Sequence, residues 1–177
     1  MSQHDIILVN EKDEETGTGE KMGVHYKALL HRAFSVFIFN NQGEMLLQRR
    51  AMTKYHSGGL WTNACCSHPR PGETSIAGAQ RRLKEELGFA VPLTEAFEFV
   101  YKAAFDNGLT ENEFDHVFTG EYNGVIVPDP AEVMDYCYKP VEDIRKELSA
   151  SPEKYTAWFL IAFPRLEEYL KIVRRER

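Results

Sequence analysis

The sequence is poor in cysteine and has neither a long apolar run nor an excess of positive charge. Its 3 cysteines among 177 residues cannot form a disulfide framework, so we expect a reducing, cytoplasmic location. The longest apolar runs, residues 33–39 and 157–163, are too short to span a membrane. The first residues also lack the basic and apolar segments of a signal peptide.

The charge and composition indicate one folded, acidic domain. The chain carries 21 Lys plus Arg against 27 Asp plus Glu, and this net charge of −6 argues against nucleic acid as a partner. With 43% hydrophobic residues it can bury the core of a single domain over residues 1–177, and we expect a monomer or weak dimer. Residues 45–72 contain no Asp or Glu but include the cations Arg49, Arg50, Lys54 and Arg70. Unless this gap in acidic residues is chance, it predicts a site for an anionic small molecule.

Short alternating apolar segments predict the strands. A loop or weak strand pair is expected over residues 11–20. The other predicted strands are residues 6–9, 97–105, 114–122 and 133–138, together with a hairpin of 34–39 and 45–47 around a turn at 40–43.

Helical periodicity is clearest over residues 73–87, where Gly88 supplies the stop. The predicted apolar stripe of this helix consists of Ile76, Ala79, Leu83 and Leu87. Further helices are expected over residues 140–148 and from an N-cap at Ser151 to about residue 173, with a kink at Pro164. Because strands lie on both sides of a central helix in the sequence, we expect mixed α/β (α+β) layers rather than a doubly wound parallel sheet.

The segment 61–69 places a thiol close to an imidazole. Cys66 and His68 are two residues apart, so on an extended backbone they lie on the same face. Such a pair suits either a metal site with a thiol nearby or a thiol activated by a base. The alternative is a buried cysteine beside a core histidine.

Glu111 and Glu113 show the same two-residue spacing in a predicted strand. Two neighbouring carboxylates repel each other unless a cation or a shared proton lies between them, although a solvated strand edge would also explain the pair. Combined with His25, His31 and His68, they offer three imidazoles and two carboxylates. This donor set suits Zn, Mn or Fe in a five- or six-coordinate site.

The central helix carries a pattern that resembles the Nudix box. The matching positions are Glu73, Arg81, Leu83, Glu85, Glu86, Gly88 and Phe89. Two positions depart from the box: Arg82 replaces a glutamate of the metal cluster, and Ser67 replaces the leading glycine. This helix could therefore hold a diphosphate without being well built to hydrolyse it. Surface ion pairs between residues four apart would explain the charges but not the rest of the pattern.

Over nearly its whole length the chain resembles the type 1 isopentenyl diphosphate isomerases. The resemblance is carried by His25, by residues 31–35, 48–50, 61–69, 111–113 and 132–135, and by the altered box. It implies a Nudix-like mixed β-sheet sandwiched between helices. The implied activity interconverts isopentenyl and dimethylallyl diphosphate in isoprenoid biosynthesis, by protonation and deprotonation of an allylic system.

The resemblance also implies a role for individual residues. Cys66 and Glu113 match the catalytic groups, and Cys66 is also a candidate metal ligand. The implied ligands of a transition metal, Mn²⁺ or Zn²⁺, are His25, His31, His68, Glu111 and Glu113. Glu86 matches the carboxylate that meets Mg²⁺ with the diphosphate. The implied substrate-binding residues are Lys21, Arg50, Lys54, Arg82, Tyr101 and Trp158.

Two other functions remain open from the sequence. A Nudix-type diphosphate hydrolase would share the box, but Arg82 and the Cys66–His68 pair argue against it. A metal-binding module without catalysis would bind the metal and leave the substrate unchanged. In the main hypothesis and in the hydrolase alternative, the expected partner is a small-molecule diphosphate.

Overall fold

The computed structural model describes residues 5–175. The prediction that the first residues do not form a signal peptide falls mostly on residues 1–4, which lie outside the described residues. The described strands are β1 (Asp5–Val9), β2 (Glu15–Glu20), β3 (His31–Phe39), β4 (Glu44–Arg50), β5 (Trp61–Thr62), β6 (Cys65–Ser67), β7 (Thr94–Ala104), β8 (Thr110–Glu121) and β9 (Val133–Pro140). The described helices are α1 (Lys21–Tyr26), α2 (Ser75–Leu87), α3 (Val141–Ala150) and α4 (Ala157–Arg175), with a 3₁₀ turn at Pro152–Lys154.

The strands form one mixed sheet, as the sequence predicts. β3 and β8 run parallel in unbroken register from the pair His31–Glu113 to the pair Phe39–Glu121. The other strand pairings are antiparallel: β1 with β2 and β3, β3 with β4 and β6, β4 with β5 and β9, and β7 with β8. β3 therefore lies between β6 and β8, which brings distant segments of the chain together.

The predicted hairpin is present at its turn. β3 and β4 pair at Phe39 and Met45, and Gly43 in the turn has a φ of 76°, which favours glycine. Beyond the turn the strands diverge, since β3 continues against β6 and β8 while β4 continues against β5 and β9. The hairpin thus joins the part of the sheet that contains β6 and β8 to the part that contains β5 and β9.

Helices cover both faces of the sheet. The alternation of side chains along β3 sends Phe34, Val36 and Ile38 into a core with Leu83 and Leu87 of α2. On the opposite face, a second core joins Phe37 and Val117 to residues of α3 and α4, including Ile144, Phe159 and Phe163. This confirms the prediction of a mixed sheet sandwiched between helices.

α2 differs from its prediction at the start and on one position of its stripe. Its N-cap is Thr74, whose hydroxyl accepts from the backbone N–H of Ala77, so Glu73 precedes the helix. Ile76 is 37% exposed, and the prediction that it belongs to the buried stripe was wrong. Gly78 is buried instead, because a Cβ there would lie 3.0 Å from the Phe34 ring. Gly88 ends the helix with a left-handed φ of 78°, as predicted.

The C-terminal helix starts later than predicted. Ser151 makes no side-chain cap; it follows α3 and precedes the 3₁₀ turn. α4 begins at Ala157, after Thr156 has donated its backbone N–H to the Trp61 carbonyl, and it continues through Pro164. Within residues 5–175, no helix has the length and apolar character needed to cross a membrane.

Candidate active site

Three acidic side chains lie on one face of β8. Glu111, Glu113 and Asp115 are spaced by two residues, and all three are buried. Burial of three neighbouring carboxyl groups is costly unless each has partners. Their partners come from different segments of the chain, and these partners define the site.

Glu113 belongs to a group of four potential metal ligands. His25 comes from α1, His31 from the start of β3, and His68 from the residue after β6. One ligand atom from each of these histidines and from Glu113 lies within 4.8 Å of the others. The Glu113 Oε1 atom is 3.0 Å from His68 Nε2 and 3.4 Å from His31 Nε2.

Two of the imidazoles are oriented by backbone carbonyls. His25 Nδ1 lies 2.6 Å from the carbonyl of Lys21, and His31 Nδ1 lies 2.8 Å from that of Leu29. A carbonyl only accepts, so each Nδ1 must carry the proton and each Nε2 keeps a lone pair. Both Nε2 atoms are buried without a hydrogen-bond partner in the described part of the chain. This arrangement fits a transition metal at the four residues.

Burial keeps two of these histidines neutral at physiological pH. Desolvation lowers the pKa of His25 to about 4 and that of His68 to about 3. Burial alone would raise the pKa of Glu113, but the adjacent imidazoles of His31 and His68 hold it well below its usual range. Neutral imidazoles and an ionised carboxylate are the protonation states that metal binding requires.

Glu111 lies outside this group of four in the structure. Its Oε1 is 3.2 Å from His56 Nε2, and its Oε2 accepts from the Tyr101 hydroxyl at 3.0 Å. The same hydroxyl lies 2.5 Å from Glu113 Oε2, so Tyr101 joins the two carboxyl groups. Burial and the charge of Glu113 raise the pKa of Glu111.

The Cys66 thiol lies beside two oxygen atoms and not in the group of four ligands. Its Sγ is 3.1 Å from Asn63 Oδ1 and 3.3 Å from Ser35 Oγ. Burial raises the pKa of Cys66 well above its ordinary value, and the charge of Asp115 raises it further. Cys66 is therefore a thiol rather than a thiolate.

One pocket collects the predicted site residues other than His25 and His31. They are Lys21, Arg50, Lys54, Cys66, His68, Arg82, Glu86, Tyr101, Glu111, Glu113 and Trp158. Four of these residues are cations, and their charges repel one another. Burial lowers the pKa of Lys21 to about 8, and the positive charges of Lys54, Arg50 and Arg82 lower this pKa as well. Such a concentration of half-buried positive charge favours a polyanionic ligand.

Glu86 is held at the same pocket by residues of two elements. Its Oε2 accepts from Gln48 of β4 at 2.8 Å, and its Oε1 accepts from Arg82 at 2.8 Å. Arg82 also donates to Glu85 at 2.7 Å and lies 3.2 Å from Glu132. The intrahelical ion pairs considered from the sequence are therefore present, and Arg82 and Glu86 line the pocket as well.

Aromatic rings form part of the pocket wall and its surroundings. The Trp158 ring is buried, and the Arg50 guanidinium carbon lies 5.0 Å from its centre. His56 meets Trp158 edge-on at 5.5 Å and stacks on Phe105 at 4.6 Å. Electron-rich rings beside a hydrocarbon group can stabilise a developing carbocation.

Sequence reasoning missed several residues of the site. These are Ser35, Gln48, Tyr55, His56, Asn63 and Asp115. A signal existed for Asp115, because it continues the two-residue spacing of Glu111 and Glu113. Ser35 contacts the thiol through pairing of β3 with β6, which the local sequence pattern does not specify. Asn63 lies between β5 and β6 and contacts the thiol three residues further along the chain.

The NUDIX domain family model matches residues 29–159. The isopentenyl-diphosphate Delta-isomerase of Pectobacterium atrosepticum is 44% identical over 177 residues, covering 100% of this chain and 99% of that protein. The chain belongs to the isopentenyl-diphosphate Delta-isomerase family, within the Nudix superfamily. Another family member, from Serratia proteamaculans, is 48% identical over 155 residues, covering 88% of this chain and 87% of that protein.

Solved structures support the same fold at lower identity. DR0079 of Deinococcus radiodurans aligns with a TM-score of 0.77 at 19% identity, covering 91% of this chain and 98% of that one. The MutT protein of Methanosarcina mazei aligns with a TM-score of 0.66 at 22% identity, covering 80% and 96%. These likenesses establish the Nudix fold, while the family is established by the closer sequence relatives.

Proposed function

We propose that this chain interconverts isopentenyl and dimethylallyl diphosphate, with Cys66 and Glu113 as its two proton-transfer groups. The observation that carries this proposal is that both side chains line one pocket, together with four cations and the aromatic side chains of Tyr101 and Trp158. The sequence relatives named as isopentenyl-diphosphate Delta-isomerases support the reaction.

The four cations that line the pocket fit the diphosphate. Lys21, Arg50, Lys54 and Arg82 supply donors and positive charge, and an arginine can bind two phosphate oxygens at once. Glu86 is the carboxylate of α2 that lines the pocket beside these cations. An oxygen ligand next to phosphate suits Mg²⁺, which we propose Glu86 helps to hold when the substrate binds.

The reaction needs an acid and a base. Moving the double bond requires a proton at C4, a tertiary cation at C3 and loss of a proton from C2. Cys66 reaches the pocket from β6 and Glu113 from β8, and these strands flank β3 on opposite edges. One group can therefore add the proton while the other removes it, and the reverse reaction exchanges their roles.

The surrounding residues protect the reacting carbons. Trp158 and Tyr101 form buried walls, and the indole face can stabilise positive charge at C3. The diphosphate is a good leaving group, so exclusion of water limits its loss from the cationic intermediate. Tyr101 also holds the Glu113 carboxylate through its hydroxyl.

We propose that His25, His31, His68 and Glu113 hold a transition metal, with Glu111 as a fifth ligand. The buried lone pairs of His25 and His31 and the ionised Glu113 support this site. When bound, the metal would fix the orientation of Glu113 and tune its proton affinity. Three imidazoles with carboxylates suit Mn²⁺ or Zn²⁺.

The test is incubation with isopentenyl diphosphate and Mg²⁺ in D₂O, followed by NMR. An isomerase produces dimethylallyl diphosphate and incorporates deuterium at the carbons that exchange protons. A hydrolase would release phosphate or diphosphate instead, and a metal-binding module would leave the substrate unlabelled. Nucleoside diphosphates serve as control substrates, from which we expect no phosphate release.

A further inference from the structure

Asp115 is a buried carboxyl group that the proposed mechanism does not use. Its side chain is fully buried, and its Oδ1 atom has no hydrogen-bond partner within residues 5–175. Its Oδ2 atom accepts from the Ser35 hydroxyl at 2.7 Å. A carboxyl group retained in such surroundings calls for an explanation.

Ser35 links this carboxyl group to the proposed catalytic thiol. Ser35 and Cys66 are directly opposite each other in the pairing of β3 with β6. The Ser35 Oγ atom lies 3.3 Å from the Cys66 Sγ. Because the single hydroxyl hydrogen of Ser35 points to Asp115, the lone pairs of Ser35 Oγ face the sulfur.

Asn63 provides a second acceptor for the same thiol. Its amide nitrogen donates to the carbonyls of Val36 and Cys65, each at 3.0 Å. This fixes the amide so that Oδ1 lies 3.1 Å from the Cys66 sulfur. The single S–H hydrogen thus faces two oxygen atoms whose positions are set by neighbouring strands.

We propose that Ser35 and Asp115 are positioning residues for Cys66. Asp115 fixes the rotation of the Ser35 hydroxyl, so that the Ser35 oxygen and Asn63 Oδ1 keep the thiol hydrogen directed toward this pair of acceptors. Neither residue is among those that line the pocket in the described part of the chain. The kinetic consequence rests on the proposed function, since a misdirected thiol lowers the rate of proton transfer more than it lowers binding.

The kinetic arm compares Ser35→Ala, Asp115→Ala and Asp115→Asn with a matched control. We expect Ser35→Ala to lower kcat on the order of 10- to 100-fold with little change in KM. Asp115→Asn keeps an oxygen that can accept from Ser35, so its kcat should lie closer to wild type than that of Asp115→Ala. The control is Tyr155→Phe, which removes another hydroxyl-to-carboxylate hydrogen bond, to Glu147 at 2.6 Å, away from the pocket.

The second arm does not depend on activity. Infrared spectra of the protein in H₂O report the S–H stretching band, and subtraction of the Cys66→Ala spectrum isolates the band of Cys66. We expect Ser35→Ala and Asp115→Ala to shift this band and Tyr155→Phe to leave it in place. A purely structural role for the two residues would change thermal stability without a specific change in the thiol band.

The outcomes separate this inference from the function it rests on. Unchanged kcat in Ser35→Ala, or a Cys66 band that stays in place in Ser35→Ala, overturns the positioning role. If Asp115→Ala does not fold, Ser35→Ala and Asp115→Asn still decide it. If the wild-type protein does not isomerise the substrate, the proposed function fails, while the infrared band still tests the contact between Ser35, Asp115 and Cys66.

Discussion

Arg82 donates to the Glu86 carboxylate at 2.8 Å across one turn of α2. A hydrolase of this superfamily would carry glutamate in place of Arg82, so the helix has exchanged a negative charge for a positive one. Burial alone would lower the pKa of Arg82, but the surrounding carboxylates, led by Glu86, raise it. Arg82 therefore stays charged at the pocket wall and is held in place by its acidic neighbours.

We predict that Arg82→Glu raises KM for isopentenyl diphosphate about 10- to 100-fold, as expected for loss of a charge-assisted contact with phosphate. The fold should be retained because the apolar face of α2 is untouched, but thermal stability should fall, since the variant places a negative charge beside Glu85, Glu86 and Glu132. Lys84→Glu reverses a charge on the exposed face of the same helix and is the control. An unchanged KM in Arg82→Glu would show that Arg82 does not contact the diphosphate and serves only as an ion-pair partner within α2.

We predict that Cys66→Ala and Cys66→Ser lose isomerase activity by about 10²- to 10⁴-fold, the usual effect of removing a proton-transfer group. Cys65→Ala should keep most of the activity, because Cys65 is buried in the core beneath α2 and does not line the pocket. It should cost about 1 kcal/mol of stability. Turnover measured by NMR decides the matter, and near-normal turnover in Cys66→Ala would exclude the thiol from the mechanism.

We predict that the double variant His25→Ala, His68→Ala binds no transition metal. Metal content of purified protein, measured by mass spectrometry, is the readout, and loss of half of a four-residue ligand set should abolish tight binding. His116→Gln is the control, since His116 belongs to a separate group with Glu95 and Glu98. If the control lost the metal and the double variant kept it, the metal would be bound by Glu95, Glu98 and His116 instead.

We predict an alkaline limb in the KM profile that comes from Lys21. Because burial and neighbouring cations lower its pKa to about 8, the free enzyme carries the charge below this pH and loses it above. Diphosphate binding should therefore weaken as the pH rises through about 8. In Lys21→Arg the guanidinium stays charged, so this limb should disappear. A limb that persists in Lys21→Arg must come from another group.

We predict that Gly88→Ala destabilises the protein more than Gly43→Ala. Both glycines have left-handed φ angles, 78° and 76°, which cost an alanine about 1 kcal/mol. At Gly88 the new Cβ would also lie 2.6 Å from the Val127 carbonyl oxygen, whereas nothing lies within 4 Å at Gly43. Thermal melts of the two variants measure the difference, and equal melting temperatures would show that the Val127 loop moves away freely.

Local sequence patterns predicted most elements but not all of their ends. The stop of α2 at Gly88 follows from the φ angle that glycine allows, and periodicity located most of the buried stripe. Ser151 was misleading, because a serine before proline resembles an N-cap whether an α-helix or a 3₁₀ turn follows. α1 was missed because its six residues are too few to show a helical period.

The candidate site was predictable mainly through family resemblance. The spacing of Cys66 and His68, and of Glu111 and Glu113, suggested chemistry at two places, which only the donor chemistry of the histidines and carboxylates combined into one site. The link is the parallel pairing of β3 with β8, which no local pattern encodes. His56 was missed for the same reason, since its importance depends on Glu111, which is distant in sequence. Asn63 is only three residues from Cys66, but the orientation of its amide depends on the distant Val36 carbonyl of β3.

The parallel pairing of β3 with β8 also constrains how the protein acquires its activity. In the pair His31–Glu113, the two residues are separated by a long stretch of chain that must be made before they can meet. Contacts of this kind form slowly because closing a long loop costs entropy. The histidines of α1 and β3 therefore emerge from the ribosome well before their carboxylate partner. Until β8 docks, the nascent chain would offer a metal ion an incomplete set of ligands, so completion of the proposed metal site waits for this long-range pairing.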